Sequence, residues 1–226
     1  MSPSRPTATA GLDTRPMVLL HPCLRHELRL APSHVRRVAA GDATTVRTVA
    51  DHLDFLVVFV RHHHEIEDEL LWPVLRTRLA DEPLATVALM ENQHEALSAV
   101  LGRVETAVPE WRRTNGATER DRLAGVLDEL YPILIEHLDA EEQRLLPIAV
   151  RTMEPAEWER IGEEGYRRSP RRHRSLALGM FDHYGDPDVV ATMVEPIPRP
   201  IRPFVLSGAR RRFRRRARRV HGTPTP

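Results

Sequence analysis

Two copies of one His/Glu pattern contain the residues best suited to chemistry. Residues 61–73 read RHHHEIEDELLWP, and residues 137–147 read HLDAEEQRLLP. In both copies a His is followed by Glu at four residues and by Pro at ten. Since a helix advances ~100° per residue, this spacing brings His63 and Glu67, like His137 and Glu141, within about 40° of each other and one turn apart. Each copy therefore predicts a two-ligand pair for a metal ion.

Four amphipathic helices are predicted to position these pairs, at about residues 17–40, 44–79, 83–108 and 119–153, with residues 111–118 as a loop. One His interrupts the apolar stripe of each helix: His21, His63, His94 and His137. Short connections imply an antiparallel, up-and-down four-helix bundle, and the interior of such a bundle is where facing helices can build a metal site.

An ordinary structural role is the alternative to metal binding for these residues. A single buried His is usually an ordinary core residue, and the cluster around residues 62–69 could be a solvated helix face. Four His on four helices, with Glu67 and Glu141 one turn from two of them, are poorly explained in this way, because buried carboxylates are costly unless paired or metal-bound. Imidazole and carboxylate without thiolate favour iron or manganese, allow zinc and disfavour calcium. Two carboxylates able to bridge suit two ions better than one.

Several neighbouring residues are weaker ligand candidates. His62 and His64 each lie about 100° from the stripe, so at most one of the three adjacent His should point squarely inward. Glu142 is the alternative to Glu141. His52, about 16 Å before His63 on the same face, is expected to bond a neighbouring helix rather than a metal.

These motifs together resemble the hemerythrin-like, HHE cation-binding family over about residues 17–152, and residues 26–32 with the Arg-rich end resemble its actinobacterial branch. The resemblance implies a four-helix bundle with a non-haem, oxo- or hydroxo-bridged di-iron centre that binds dioxygen or related small molecules; manganese or zinc are the less favoured metals. By position, the two Glu would bridge, and the ligands would be His21, His63, Glu67, His94, His137 and Glu141.

One departure from the family pattern affects the expected chemistry. Hemerythrins proper use five His, and Met90 stands where the fifth would be. A thioether is a poor ligand for hard ferric iron, so water, His62 or His64 is expected to fill the gap. An open position favours redox chemistry with peroxide or nitric oxide over reversible oxygen storage. The function hypotheses are therefore a protein that binds or senses oxygen, peroxide or nitric oxide, and a di-iron peroxidase- or oxidase-like enzyme.

The remaining segments suggest appendages to this bundle. We predict a disordered leader at residues 1–15, the bundle at 17–153, a helical extension at 154–195 and a Pro/Arg-rich basic tail at 196–226. The net charge is +1, but the tail holds ten Arg and no acid, so residues 1–195 carry −9. A solvated tail, or one docked on the acidic bundle, is favoured over a third hypothesis, an interaction protein that binds nucleic acid or anionic membrane through residues 210–219.

Cysteine usage and hydropathy suggest a cytoplasmic protein. Cys23 is alone, which excludes an intrachain disulfide and a Cys-based zinc site. The apolar run at residues 17–20 is too short for a signal-peptide core or a membrane span.

Overall fold

The computed structural model describes residues 12–226, so most of the predicted leader lies outside the described residues. Within that range the chain is helical without strands, which confirms the predicted all-α class. A short helix α1 (Arg15–Val18) leads into α2 (Leu20–Arg36), the first helix of the bundle. No helix in residues 12–226 combines the length and the apolar character needed to cross a membrane.

The bundle consists of α2 and three longer helical segments joined by short links. The second segment is α3 (Ala43–Ile66), which continues through a π-helical turn, π1 (Glu67–Leu71), into α4 (Trp72–Arg78). The third is α5 (Asp81–Thr114). The fourth is α6 (Ala117–Ala140), which continues through π2 (Glu141–Leu145) into α7 (Leu146–Thr152). Helix α2 packs on α3 and α6, and α5 packs on the same two helices, so the four segments enclose one interior.

The predicted loop at residues 111–118 is mostly wrong. Helix α5 runs on to Thr114, because Trp111 continues the buried apolar seam of Val104 and Val108 and is itself buried. Asn115 then ends the helix in the left-handed conformation, with φ of 52°. Within the predicted loop, only Asn115 and Gly116 separate α5 from α6.

The two π-helical turns were not predicted, although Pro73 and Pro147, which explain them, end the two paired motifs. Pro73 and Pro147 have no N–H, and a proline ring inside a helix clashes with the carbonyl four residues earlier. Just before each proline the hydrogen bonding shifts by one residue: the N–H of Trp72 bonds the carbonyl of Glu67, and that of Leu146 bonds the carbonyl of Glu141. Both π turns therefore begin at a Glu of the paired motif, and π turns are frequent at functional sites.

Four further helices follow the bundle: α8 (Pro155–Arg168), α9 (Arg171–Tyr184), α10 (Pro187–Met193) and α11 (Arg202–Val220). Most of the Arg-rich end forms α11, which packs on α9 and α3. Its buried residues are Ala209, Phe213, Ala217 and Val220. At Gly179 of α9 the backbone carbonyl of Ala209 lies 2.3 Å from where a Cβ would be, so only glycine permits this close approach of the two helices.

Candidate metal centre

Four imidazoles from four different helices meet in the bundle interior. The Nε2 atoms of His21 and His63 are 3.1 Å apart, and those of His94 and His137 are 3.2 Å apart. Two nitrogens bound to one metal at about 2.0–2.1 Å would have a similar separation. All four side chains are nearly or fully removed from solvent. The geometry thus forms two imidazole pairs, each spaced as ligands of a common cation.

Glu67 and Glu141 lie between the two imidazole pairs. One oxygen of Glu67 is 3.4 Å from His63 Nε2, and its other oxygen is 3.3 Å from His94 Nε2. Glu141 Oε2 is 3.4 Å from His21 Nε2 and 3.8 Å from His137 Nε2. Both carboxylates are fully buried, and none of their four oxygen atoms has a donor aligned for a hydrogen bond. Buried carboxylate oxygens without donors are rare because each costs a desolvation penalty, and a cation would remove that cost.

His64 corrects the prediction that only one of the three adjacent His faces inward. It is buried, its Nε2 has no partner, and its ring centroid lies 4.4 Å from that of His94 and 4.9 Å from that of His137. The inward face of a bundle helix spans 100° or more, so neighbouring positions can contact different helices. His63 faces α2, and His64 faces α5 and α6.

The possible ligand atoms therefore form two groups: His21, His63 and Glu141, and His64, Glu67, His94 and His137. Within each group they lie within 4.8 Å of one another. All six main sequence candidates belong to these groups, and His64 is the seventh member. His62 belongs to neither. Met90 occupies the position where hemerythrins proper have a fifth His. It is buried in the neighbouring apolar cluster with Leu71 and Trp72.

Hydrogen bonds on the outer side orient three of the imidazoles. His21 Nδ1 donates to Glu142 at 2.7 Å, and His94 Nδ1 donates to Asp68 at 2.7 Å. His137 Nδ1 is 3.3 Å from the amide oxygen of Gln93. A proton held on Nδ1 leaves the Nε2 lone pair directed inward, which is how outer carboxylates prepare His for a metal. Glu142, a weaker candidate ligand, instead supports His21.

The electrostatics of the site also suit a cation. Burial lowers the pKa of His63 to about 4 and that of His137 to about 3, so both imidazoles are neutral near pH 7. Burial and the nearby Glu67 raise the pKa of Glu141. Burial opposes the charge of His94, but Asp68 and Glu67 raise its pKa to about 9. The second proton on His94 is thus a positive charge that a metal ion would replace.

A second buried cluster lies elsewhere in the bundle and contains His52. Its Nε2 donates to Glu27 of α2 at 2.9 Å. Together with His221, these two residues form a third group that could hold a metal ion. Tyr184 also donates to Glu27, at 3.0 Å. His52 thus bonds a neighbouring helix, as expected. His221 had no sequence signal, because it follows α11 and reaches Glu27 only through tertiary packing.

These observations define a metal-binding four-helix bundle as the class of protein. Residues 23–149 match the model of the hemerythrin HHE cation binding domain, which covers more than half of the chain. The chain therefore belongs to the hemerythrin HHE family, as the paired motifs predicted.

Curated relatives include two proteins named iron-sulfur cluster repair protein YtfE. One, from Enterobacter sp. (strain 638), is 25% identical over 128 residues, or 55% of this chain and 57% of the relative. The other, from Yersinia pseudotuberculosis serotype O:1b (strain IP 31758), is 27% identical over 127 residues, with the same coverage. The chain thus spans little more than half the length of the curated relatives it matches. No solved structure matches it significantly.

Proposed function

We propose that the chain is a non-haem di-iron protein that binds or senses dioxygen, peroxide or nitric oxide. The observation that carries this proposal is the pairing of inward imidazole nitrogens around two buried carboxylates whose four oxygens lack hydrogen-bond donors. One ion would be held by His21 and His63, and the other by His64, His94 and His137. Glu67 and Glu141 face both sets and would bridge.

His64 supplies the imidazole that Met90 does not. Five imidazoles and two bridging carboxylates still provide fewer donor atoms than two octahedral ions accept. Iron held there would supply a redox-active centre with room for small exogenous ligands. The protein's own contribution is to fix the imidazole tautomers through Asp68 and Glu142 and to keep bulk water away.

The environment favours small, uncharged or weakly charged ligands. The ligand groups lie between the main apolar core and a second apolar cluster that includes Leu71 and Trp72. Trp72 lies 5.2 Å from the His94 ring, and its indole N–H donates to Asp68 at 2.7 Å. The same carboxylate therefore holds His94 and the aromatic ring that covers it. Such surroundings suit a diatomic gas or peroxide better than a large polar substrate.

The test is anaerobic loading with ferrous iron, followed by absorption spectroscopy during exposure to dioxygen, hydrogen peroxide and nitric oxide. The expected result is two irons per chain and a new charge-transfer band with at least one of these ligands. Sustained consumption of peroxide or oxygen by the loaded protein would favour the enzyme alternative. A chain that takes up no iron, or loaded iron that responds to none of the three, would overturn the proposal.

The relatives suggest a second candidate function, a role in the repair of iron–sulfur clusters. It rests on their names and on similarity confined to about half of each chain. Adding the iron-loaded protein to an iron–sulfur enzyme damaged by nitric oxide tests it. Restored enzyme activity that is absent with His63→Ala would support repair, and equal recovery with free ferrous iron would reject it.

A further inference from the structure

Helix α11 presents a continuous arginine face to solvent. Arg215 lies ~40° and Arg218 ~20° from Arg211 around the helix, so the three form one stripe along its outer side. All three are exposed. The buried residues Ala209, Phe213 and Ala217 lie on the opposite side and hold the helix on the bundle. Docking therefore fixes the stripe outward and does not neutralise it.

Two other arginines of the same helix are used within the protein. Arg210 pairs with Asp182 at 2.7 Å, and Arg216 donates to the carbonyl of Thr48 at 3.2 Å. In contrast, no carboxylate in the described part of the chain pairs with Arg211, Arg215 or Arg218. The helix thus separates arginines that stabilise the fold from arginines that remain available to a partner.

Exposed apolar side chains extend this stripe at its N-terminal end. Phe204 is 77% exposed and lies only ~20° around the helix from Arg211. Ile201 is 48% exposed and lies ~80° from Arg211, at the edge of the stripe, whereas Val205 lies ~120° away, towards the buried side. Large apolar side chains exposed together, next to a cationic face, are typical of an interaction site.

We propose that this outer face of α11 binds the surface of an anionic lipid bilayer. The arginines would contact lipid phosphates, while Phe204 and Ile201 enter the boundary between headgroups and acyl chains. Nucleic acid could neutralise the same charges, but its phosphate backbone offers no apolar counterpart to Ile201. The combination of charge and aliphatic surface is what favours the bilayer.

Cosedimentation of the full chain with vesicles tests this proposal. We expect binding to vesicles that contain phosphatidylglycerol, little binding to phosphatidylcholine alone, and weakening as salt rises. The triple variant Arg211→Gln, Arg215→Gln, Arg218→Gln should bind about 100-fold more weakly, given about five-fold per arginine. Phe204→Ser, which leaves the charge unchanged, should weaken binding roughly ten-fold.

A matched control removes three exposed arginines on other helices, with Arg113→Gln, Arg151→Gln and Arg160→Gln. Its vesicle affinity should stay within about two-fold of the wild type, since net charge alone is not the cause. Equal losses in both triple variants would overturn the proposal, as would absence of vesicle binding by the wild type. Unchanged vesicle affinity in Phe204→Ser, with DNA binding that needs the stripe arginines, would reject the bilayer in favour of nucleic acid.

Discussion

Two buried His/Glu clusters occupy the same bundle, yet they differ in which side of each imidazole holds the proton. At the candidate metal centre the outer partners of His21 and His94 are carboxylates, which only accept hydrogen bonds. The Nδ1 protons therefore lie outside, and the Nε2 atoms face Glu141 and Glu67. Without a metal, the buried Nε2 of His94 holds a second proton beside Glu67, and a cation in the middle would replace that proton.

In the Glu27 cluster, the group of His52, His221 and Tyr184 around Glu27, the protons instead point inward at the carboxylate. Arg37 can only donate, and its guanidinium lies 2.5 Å from His34 Nδ1. His34 Nε2 must then donate to His221 Nδ1, 2.7 Å away. The proton of a neutral His221 is consequently on Nε2, which lies 3.0 Å from Glu27. We infer that this cluster is a hydrogen-bond network that joins the C-terminal end to the core, although its residue types would also suit a metal.

Residue types and proximity alone therefore do not identify a metal site. The outer hydrogen-bond partners decide whether imidazoles offer lone pairs or protons to the centre. Each of the following predictions tests one side of this contrast.

The largest effect is expected from removing a ligand at the metal centre. His137→Ala should lose at least one of two irons, because His94 would lack its partner at 3.2 Å. Elemental analysis of the purified, iron-loaded protein measures this directly. His62→Ala is the matched control, since His62 belongs to neither ligand group, and it should retain both irons. Two irons in His137→Ala would contradict the ligand assignment.

Removing the centre of the other cluster should instead destabilise the fold without affecting iron. Glu27→Ala leaves His52, His221 and Tyr184 without their common acceptor. Breaking a buried network of this kind costs about 3–5 kcal/mol of unfolding free energy. Urea denaturation and iron analysis on the same sample separate the two effects. Iron loss from a folded Glu27→Ala protein would show that the Glu27 cluster holds metal after all.

Changing an outer partner should produce an intermediate effect on iron affinity. Asp68→Ala removes the acceptor that places the His94 proton on Nδ1, and such losses weaken metal binding about 10–100-fold. Competition with a chelator of known affinity measures the change. Glu69→Ala serves as the control, because Glu69 pairs with Arg168 on the surface. If both variants release iron equally, Asp68 does not act through His94.

The smallest effect concerns acid stability at the Glu27 cluster. Burial lowers the pKa of His34 from 6.5 to about 3 in the folded chain. The unfolded chain therefore takes up this proton first, and the contribution of neutral His34 to stability should be complete above pH 6.5 and decline as the pH falls towards 3. Urea midpoints across this range should fall less steeply in His34→Gln than in the wild type. Identical slopes would mean that His34 is not held neutral by folding.

Helical periodicity was sufficient to predict the bundle and to select His21, His63, His94 and His137, because each replaces an apolar residue on a core stripe. It misjudged His64, since a single angular stripe cannot show that one helix faces two neighbours. The π turns depend on how the chain relaxes before Pro73 and Pro147, which periodicity does not describe. The Glu27 cluster required tertiary packing, because His221 is 194 residues away from Glu27 in the sequence.

Anomalous X-ray diffraction at the iron edge, on crystals of the iron-loaded chain, tests the central contrast most directly. We predict two iron peaks, one beside His21 and His63 and the other beside His64, His94 and His137, with Glu67 and Glu141 next to both. No peak should appear beside Glu27, His52 and His221. Iron at the Glu27 cluster, or a single iron at the main centre, would contradict this account.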